Sequence, residues 1–154
     1  MSTRSNIAIL NNDGTVTAIY CHWDGYVEYN GRILSEHYQE VEKVKELISG
    51  GDLSSLRQKI NPAGEHSFEN PQEDVCIYYH RDRDEQWEQT KPKTYESIMQ
   101  LYEELEDSWI EYLYIYIGGD WYYLCINAES TLKLSHLKSE FKNYQTQEET
   151  QSMN

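Results

Sequence analysis

No hydrophobic run in this sequence is long enough to span a membrane, because a transmembrane helix needs roughly 20 consecutive apolar residues. The N-terminal segment MSTRSNIAIL also lacks the basic stretch and the long apolar core of a signal peptide. These two absences predict a soluble, intracellular protein.

Cysteine is scarce. Cys21, Cys76 and Cys125 are isolated from one another, and no pair has the CxxC spacing of a redox or zinc motif. An odd number of cysteines with apolar or aromatic neighbours is typical of reduced, buried thiols in a cytosolic protein. We therefore expect free thiols, and we predict no cofactor.

Basic residues are few compared with acidic ones. Thirteen Lys and Arg face 27 Asp and Glu, which gives a formal net charge of −14. A field of this sign repels nucleic acids and anionic membranes, and it attracts basic protein surfaces. The charge therefore excludes direct nucleic-acid binding and is compatible either with a basic protein partner or with solubility alone.

The common catalytic motifs are missing too. The sequence contains no GxxxxGK[ST], no GxGxxG and no GxSxG. Without them, the residues favour a binding role over an enzymatic one but do not decide between the two.

What is present predicts one domain. A chain of 154 residues can bury roughly two thirds of its unfolded surface. We place the domain at residues 1–142. Residues 143–154 have no apolar anchor and are predicted to form a disordered tail.

Turn signals and hydrophobic periodicity divide the first half of the chain. Asp13-Gly14 separates predicted strands at about 5–11 and 15–22. A helix is predicted from Arg32 to Ile48, since its apolar residues recur at three- and four-residue steps. Gly50-Gly51 ends it, and a short helix is predicted from Asp52 to Ile60.

The second half predicts a strand at 75–79, loops around it, and a helix beginning near Thr94. A hairpin follows at 110–117 and 121–126, turning at Gly118-Gly119, and a last short helix is predicted at about 132–144. The fold class is α+β, with a mostly antiparallel sheet of about five strands and helices packed mainly on one face.

Tyrosines alternate with aliphatic residues along the predicted hairpin, so that the two types face opposite sides of the sheet. The aromatic side consists of Tyr112, Tyr114, Tyr116, Trp121 and Tyr123. This face is either a second core layer or an exposed surface for a partner, including a second copy of the chain.

Four acids stand near the C-terminal end of the helix predicted from Thr94. They are Glu103, Glu104, Glu106 and Asp107. Negative charge is unfavourable at this end of a helix dipole, which indicates a cation nearby. The alternative is a solvated acidic turn.

Histidine, arginine and aromatic residues recur at predicted element ends. The candidate pocket residues are His22, Trp23, Asp24, Tyr26, His37, Tyr79, His80, Arg81 and Arg83. If these segments converge, the arginines can bind phosphate and the aromatic rings can stack a base, with a histidine as general acid or base. The spacing matches no zinc template, and we predict no metal site. Alternatively, the histidines bind nearby backbone and the arginines belong to a charged loop.

Several segments together resemble a group of small proteins of tailed phages and prophages. They are DGTVTAIYCHWDGY, KVKELISGGDLSSL, YYHRD and IGGDWYYL, and IYCHWDGY and GDLSSL are the most specific. The resemblance covers about residues 1–126, more loosely over 84–108. It implies a phage accessory protein in the bacterial host cytoplasm and carries no catalytic residues to transfer.

We therefore expect stoichiometric binding to a basic or nucleic-acid-handling host protein, as a host-takeover or anti-defence inhibitor. One alternative is a pocket that sequesters or cleaves a nucleotide defence signal. The other is a structural, virion-associated role.

Overall fold

A mixed β-sheet with helices on both faces organises the chain. The computed structural model describes residues 2–126 and 134–141. The strands are β1 Arg4–Leu10, β2 Val16–Cys21, β3 Leu53–Ser55, β4 Ile77–Tyr78, β5 Lys93–Tyr95, β6 Ile110–Ile117, β7 Asp120–Cys125 and β8 Ser135–His136. A π-helical turn spans Val27–Gly31, and the α-helices are α1 Arg32–His37, α2 Val41–Ser49, α3 Tyr79–Arg83, α4 Trp87–Thr90 and α5 Ile98–Glu106. Residues 137–141 are also helical.

The strand order is β4-β3-β2-β1-β6-β7-β8, and β5 pairs with β2 beside β3. Both predicted hairpins are confirmed, since β1 pairs antiparallel with β2 and β6 with β7. The central β1 and β6 are parallel, and β2 is parallel to β3. Helices combined with a sheet are therefore confirmed, but the prediction of about five mostly antiparallel strands is wrong, because the sheet of the described residues has eight strands and is mixed.

The prediction that helices pack mainly on one face is confirmed only in part, because helices lie on both faces of the sheet. On one face, α1 and α2 contribute Leu34 and Leu47 to a core with Ile7 of β1. On the other, Leu101 of α5 packs in a second core with Ala8. Neighbouring residues of a strand point to opposite faces, so β1 is buried on both sides. Its nearly continuous apolar run is typical of such a strand.

Several predicted helix boundaries differ from the structure. The helix predicted from Arg32 to Ile48 is divided at Tyr38, whose backbone leaves helical geometry with φ −126° and ψ 59°. The buried Tyr38 hydroxyl donates to the Arg57 carbonyl at 2.6 Å, which holds the break in place.

The short helix predicted from Asp52 is instead strand β3, because Leu53 pairs with Cys21 on one side and Tyr78 on the other. Tertiary pairing here overrides a local helix signal.

The aromatic face of the β6–β7 hairpin is covered within one chain. Tyr114 is 0% exposed and its hydroxyl donates to the Gly25 carbonyl at 2.6 Å. The Tyr116 hydroxyl donates to the Gln39 carbonyl at 2.8 Å. Trp121 is buried as well, while Tyr112 and Tyr123 pack at the edge of the same core. The face is a core layer, which leaves little of it for a partner or for homodimerisation.

The last helix predicted at 132–144 differs in its described part, where β8 precedes a helical segment at 137–141. The rest of that prediction, and the predicted tail at 143–154, lie outside the described residues. Among the described helices, none is long and apolar enough to cross a membrane.

Candidate functional site

A polar cleft opens on the α5 face of the sheet, beyond the part that the helix covers. Its volume is about 300 Å³. The titratable side chains that line it are Tyr20, Asp52, Lys93, Tyr95 and Glu104, and Asn6 of β1 lines it as well. Five separate segments therefore supply this group of side chains. We call it the Asp52 cleft.

A tight turn holds Asp52 in place. Gly51 precedes it with φ +85°, a conformation that glycine adopts without a steric penalty. The Asp52 N–H donates to the Thr90 carbonyl at 2.7 Å, and the Asp52 carbonyl accepts from the Tyr79 N–H at 3.2 Å. The carboxylate Oδ1 accepts from the Tyr20 N–H at 2.9 Å. Backbone bonds on both sides thus aim this carboxylate at the cleft.

Burial raises the pKa of Asp52 to about 6, against the opposing effects of the Tyr20 N–H and the Lys93 charge, and Glu85 adds to the rise. Burial is also the main cause of the raised pKa of Tyr95, to which Glu104 and Asp52 contribute. Burial therefore favours the neutral form of both groups. A carboxyl group that titrates near neutrality is also a recurrent feature of functional sites.

The raised pKa predicts how Asp52→Asn changes stability. Because the folded pKa of about 6 exceeds the ordinary aspartate value of 3.8, ionisation of Asp52 costs stability, and the cost accrues as the pH rises between these values. Allowing for partial exposure, we expect Asp52→Asn to be more stable than the wild type by about 1.5 kcal/mol at about pH 8. The difference should shrink towards pH 4. Urea unfolding across this range measures it.

Glu73→Gln provides the control, since it removes an exposed carboxylate. Its stability difference from wild type should stay within about 0.5 kcal/mol at every pH. An Asp52→Asn protein that is equally or less stable at high pH would contradict the burial cost.

Next to the cleft, the Tyr20 hydroxyl hydrogen-bonds to His22 Nδ1 at 2.7 Å. Burial and then the Arg4 charge lower the pKa of His22, which favours its neutral form. Trp23 meets the His22 ring edge-on, with ring centroids 4.6 Å apart. Of the predicted pocket residues, His22 and Trp23 therefore lie close to the cleft. Burial raises the pKa of Tyr20, and Tyr79 makes a smaller contribution to that rise.

Two other predicted histidines have separate surroundings. His37 lines a groove of about 230 Å³ together with Arg32 and Arg57. His80 Nδ1 lies 2.7 Å from the Glu85 carbonyl oxygen, and its ring packs edge-on against Trp87. Within the described residues, no group of three or more His, Cys, Asp or Glu side chains is placed to hold a metal ion.

The predicted arginines make contacts within the chain. Arg81 donates to the carbonyls of Ile60 at 2.6 Å and Cys76 at 2.8 Å, and it forms an ion pair with Asp82 at 2.9 Å. These bonds tie α3 to the preceding loop, so that Arg81 has a structural role.

Arg83 lies over the Phe68 ring at 4.8 Å. Asp24 occupies a turn with φ 57°, and Tyr26 is 41% exposed. The predicted pocket residues are therefore distributed over several environments.

Sequence reasoning missed Asn6, Asp52, Lys93 and Tyr95 as site residues. Asn6 offered one signal, since it is a polar residue in the otherwise apolar strand β1 and is only 8% exposed. Gly50-Gly51-Asp52 offered another, but the glycines and Asp52 are also common at helix ends. Lys93 falls in a segment predicted to be a loop and Tyr95 at the start of the helix predicted from Thr94, whereas the structure pairs both with β2.

The outer face of α5 and the residues after it form a second notable feature. Met99, Glu103 and Glu106 are spaced by four and three residues, share this face and are exposed. Asp107 follows, and Trp109 is 82% exposed. We call this group, with Glu104, the acidic helix surface.

No cation from the surrounding sequence balances the acidic helix surface. Eight Asp or Glu residues but no Lys or Arg lie between Lys93 and Lys133. The last turn of α5 has no basic residue, and among the described residues no ion pair involves its acids. The four acids predicted as a partner surface are all exposed here.

A larger groove, of about 760 Å³, lies between the turns of both hairpins and the start of α2. One of its acids, Asp13, accepts from the Thr15 hydroxyl at 2.6 Å and from the Thr15 N–H at 3.0 Å. Those bonds are the ordinary ones of a hairpin turn and lower the pKa of Asp13. Size alone therefore does not make this groove the better candidate.

Comparisons of the chain with protein-family models, curated proteins and solved structures find no match.

Proposed function

We propose that the protein acts by stoichiometric binding, without turnover, to a basic protein through the acidic helix surface. The observation that carries this proposal is the juxtaposition of Trp109, 82% exposed, with four exposed carboxylates at the end of α5. Large exposed apolar side chains surrounded by charge are typical of interaction surfaces.

Helix electrostatics support a cationic partner. Each carboxylate near the negative end of a helix dipole costs about 0.3–1 kcal/mol when it stays unpaired. The end of α5 has several such groups and no basic residue in its last turn. A lysine or arginine from a partner would remove this cost, so that binding gains energy that the free protein does not have.

Trp109 supplies the apolar half of such an interface. Tryptophan and arginine are enriched among the residues that contribute most to protein–protein affinity. Surrounding acids accelerate the encounter with a basic surface and orient it. Met99, 48% exposed on the same helix, extends the apolar contact through its flexible side chain.

The resemblance to phage proteins extends the proposal to a partner class. The expected partner is a basic host protein in the bacterial cytoplasm, such as a nucleic-acid-handling or defence factor. A surface that binds nucleic acid is basic and fits an acidic helix, whereas the net charge of −14 disfavours binding of the nucleic acid itself.

A triple variant tests the proposal. Glu103→Gln, Glu106→Gln and Asp107→Asn together remove three charges of the acidic helix surface and leave Glu104 intact. We expect this variant to bind the captured host partner at least roughly tenfold more weakly, and Trp109→Ala to lose a similar amount. Wild-type affinity should also fall at least roughly tenfold between about 0.1 M and 1 M salt, over which the Debye length shortens from about 10 Å to about 3 Å.

The matched control removes three exposed acids elsewhere, at Glu65, Glu69 and Glu73. It changes the net charge equally, so its affinity should stay near wild type if the acidic helix surface is the interface. Equal losses in both triple variants would reduce the effect to net charge and would sink the proposal.

A further inference from the structure

We propose that the Asp52 cleft binds one basic side chain, an arginine or a lysine, of the protein partner. The inference deepens the proposed function and rests on it for the source of that side chain. It assigns to the cleft a ligand class, the alkylammonium or guanidinium cation, that the acidic helix surface alone does not require.

The cleft provides both kinds of group that a cation prefers. The carboxylates of Asp52 and Glu104 and the ring of Tyr95 all line it. Carboxylates accept charge-assisted hydrogen bonds, and aromatic faces attract cations by their quadrupole. A volume of about 300 Å³ is at the small end of ligand pockets and suits a single side chain.

Asn6 is an independent indication of a polar ligand. It is 8% exposed, so that more than nine tenths of it is buried, and it lines the cleft. The Asn6 amide oxygen is an acceptor that an ammonium or guanidinium group can use.

Lys93 does not already fill this role. Its charge lowers the pKa of Asp52, but burial outweighs it and the pKa stays raised. Within the described residues, no ion pair of 4.0 Å or less joins Lys93 to Asp52 or Glu104. Lys93 itself is exposed. The two carboxylates therefore face the cleft without a close counter-ion.

Glu104 connects the cleft to the acidic helix surface. It precedes Glu106 by two residues, which places the two on different sides of α5, and it lines the cleft. A partner seated on the outer face of α5 would have neighbouring side chains beside the cleft. One basic side chain entering the cleft would fix the orientation of a contact that charge alone leaves loose.

Short peptides test this inference without the partner. The probes are terminally blocked Gly-Arg-Gly, Gly-Lys-Gly and Gly-Gln-Gly, added to the full-length protein at about 10 mM and followed by amide NMR shifts, since a single side chain binds in the millimolar range. We expect the arginine or lysine peptide, and not the glutamine peptide, to shift the Asn6 side-chain amide and the Tyr20 N–H. The arginine and lysine arms distinguish the two cations.

Two variants decide where the peptide binds. Asp52→Asn should weaken the basic peptide roughly tenfold, because it removes the central charge while keeping the acceptor for the Tyr20 N–H. Glu73→Gln should leave the peptide affinity unchanged. Absent shifts at the cleft, or shifts that persist in Asp52→Asn, would overturn the inference. The proposed function would survive that result if the triple variant of the acidic helix surface still loses the partner.

Discussion

Gly51→Ala is expected to lower the free energy of unfolding by about 3 kcal/mol or more. Gly51 has φ +85°, which strains any residue with a Cβ, and that Cβ would overlap the Thr90 carbonyl oxygen. It would also lie 3.2 Å from the Trp87 ring. The turn must therefore shift, although the next residue, Asp52, is bonded to the same carbonyl at 2.7 Å. Chemical denaturation measures the loss.

Gly14→Ala separates the backbone strain from the collision. Gly14 has φ +89°, close to the value at Gly51, but nothing lies within 4 Å of its added Cβ. We expect Gly14→Ala to lower the free energy of unfolding by about 1 kcal/mol, through the backbone conformation alone. If both variants lose the same free energy of unfolding, the overlap with Thr90 has no energetic effect. The turn would then not hold Asp52 in place as described above.

The hairpins were predictable because their information is local. Asp13-Gly14 and Gly118-Gly119 lie where the structure turns, and the strands on either side pair in register. The apolar spacing of Leu101 and Leu105 likewise identifies the buried side of α5. Each of these signals depends only on residues that are close together in the sequence.

The edge of the sheet was not predictable in the same way. Leu53–Ser55 and Lys93–Tyr95 are three-residue strands that exist because β2 offers them an edge to pair with. A segment so short has too few positions to show strand periodicity. Because these strands were missed, the predicted number of strands was too low and the parallel pairing of β2 with β3 was not predicted.

The sequence did not show whether the tyrosine face of β6 is buried or exposed. The sequence showed that the tyrosines of β6 share one face. Tyrosine rings are amphipathic, so such a face can be either exposed to solvent or buried in a core. The hydroxyl partners decide the matter, because Tyr114 and Tyr116 donate to carbonyls contributed by distant loops. Those distances depend on the tertiary fold and leave no sequence pattern.

Part of the candidate site was predictable. The four acids after residue 102 and their unfavourable place on the helix dipole were readable from the sequence. The Asp52 cleft was not, because its side chains come from segments that are up to about a hundred residues apart. The raised pKa of Asp52 arises from burial, which only the assembled fold creates.

Tyr114→Ala is expected to destabilise the protein by about 4 kcal/mol, since it removes a fully buried ring and leaves a cavity beneath α1. The neighbouring Gly31 shows how closely the ring is packed, because a Cβ there would lie 3.2 Å from Tyr114. Tyr114→Phe keeps the ring but loses the hydrogen bond to Gly25 at 2.6 Å, and should cost about 1–2 kcal/mol. Thermal and urea unfolding measure both.

Tyr26→Ala is the matched control, since Tyr26 is 41% exposed. This substitution should lower the free energy of unfolding by less than about 1 kcal/mol. Comparing the two tyrosines separates a core role from a surface role for the same residue type. A Tyr114→Ala protein of near wild-type stability would mean that the aromatic face of the hairpin is not a core layer. The aromatic face would then become a second candidate for the partner surface.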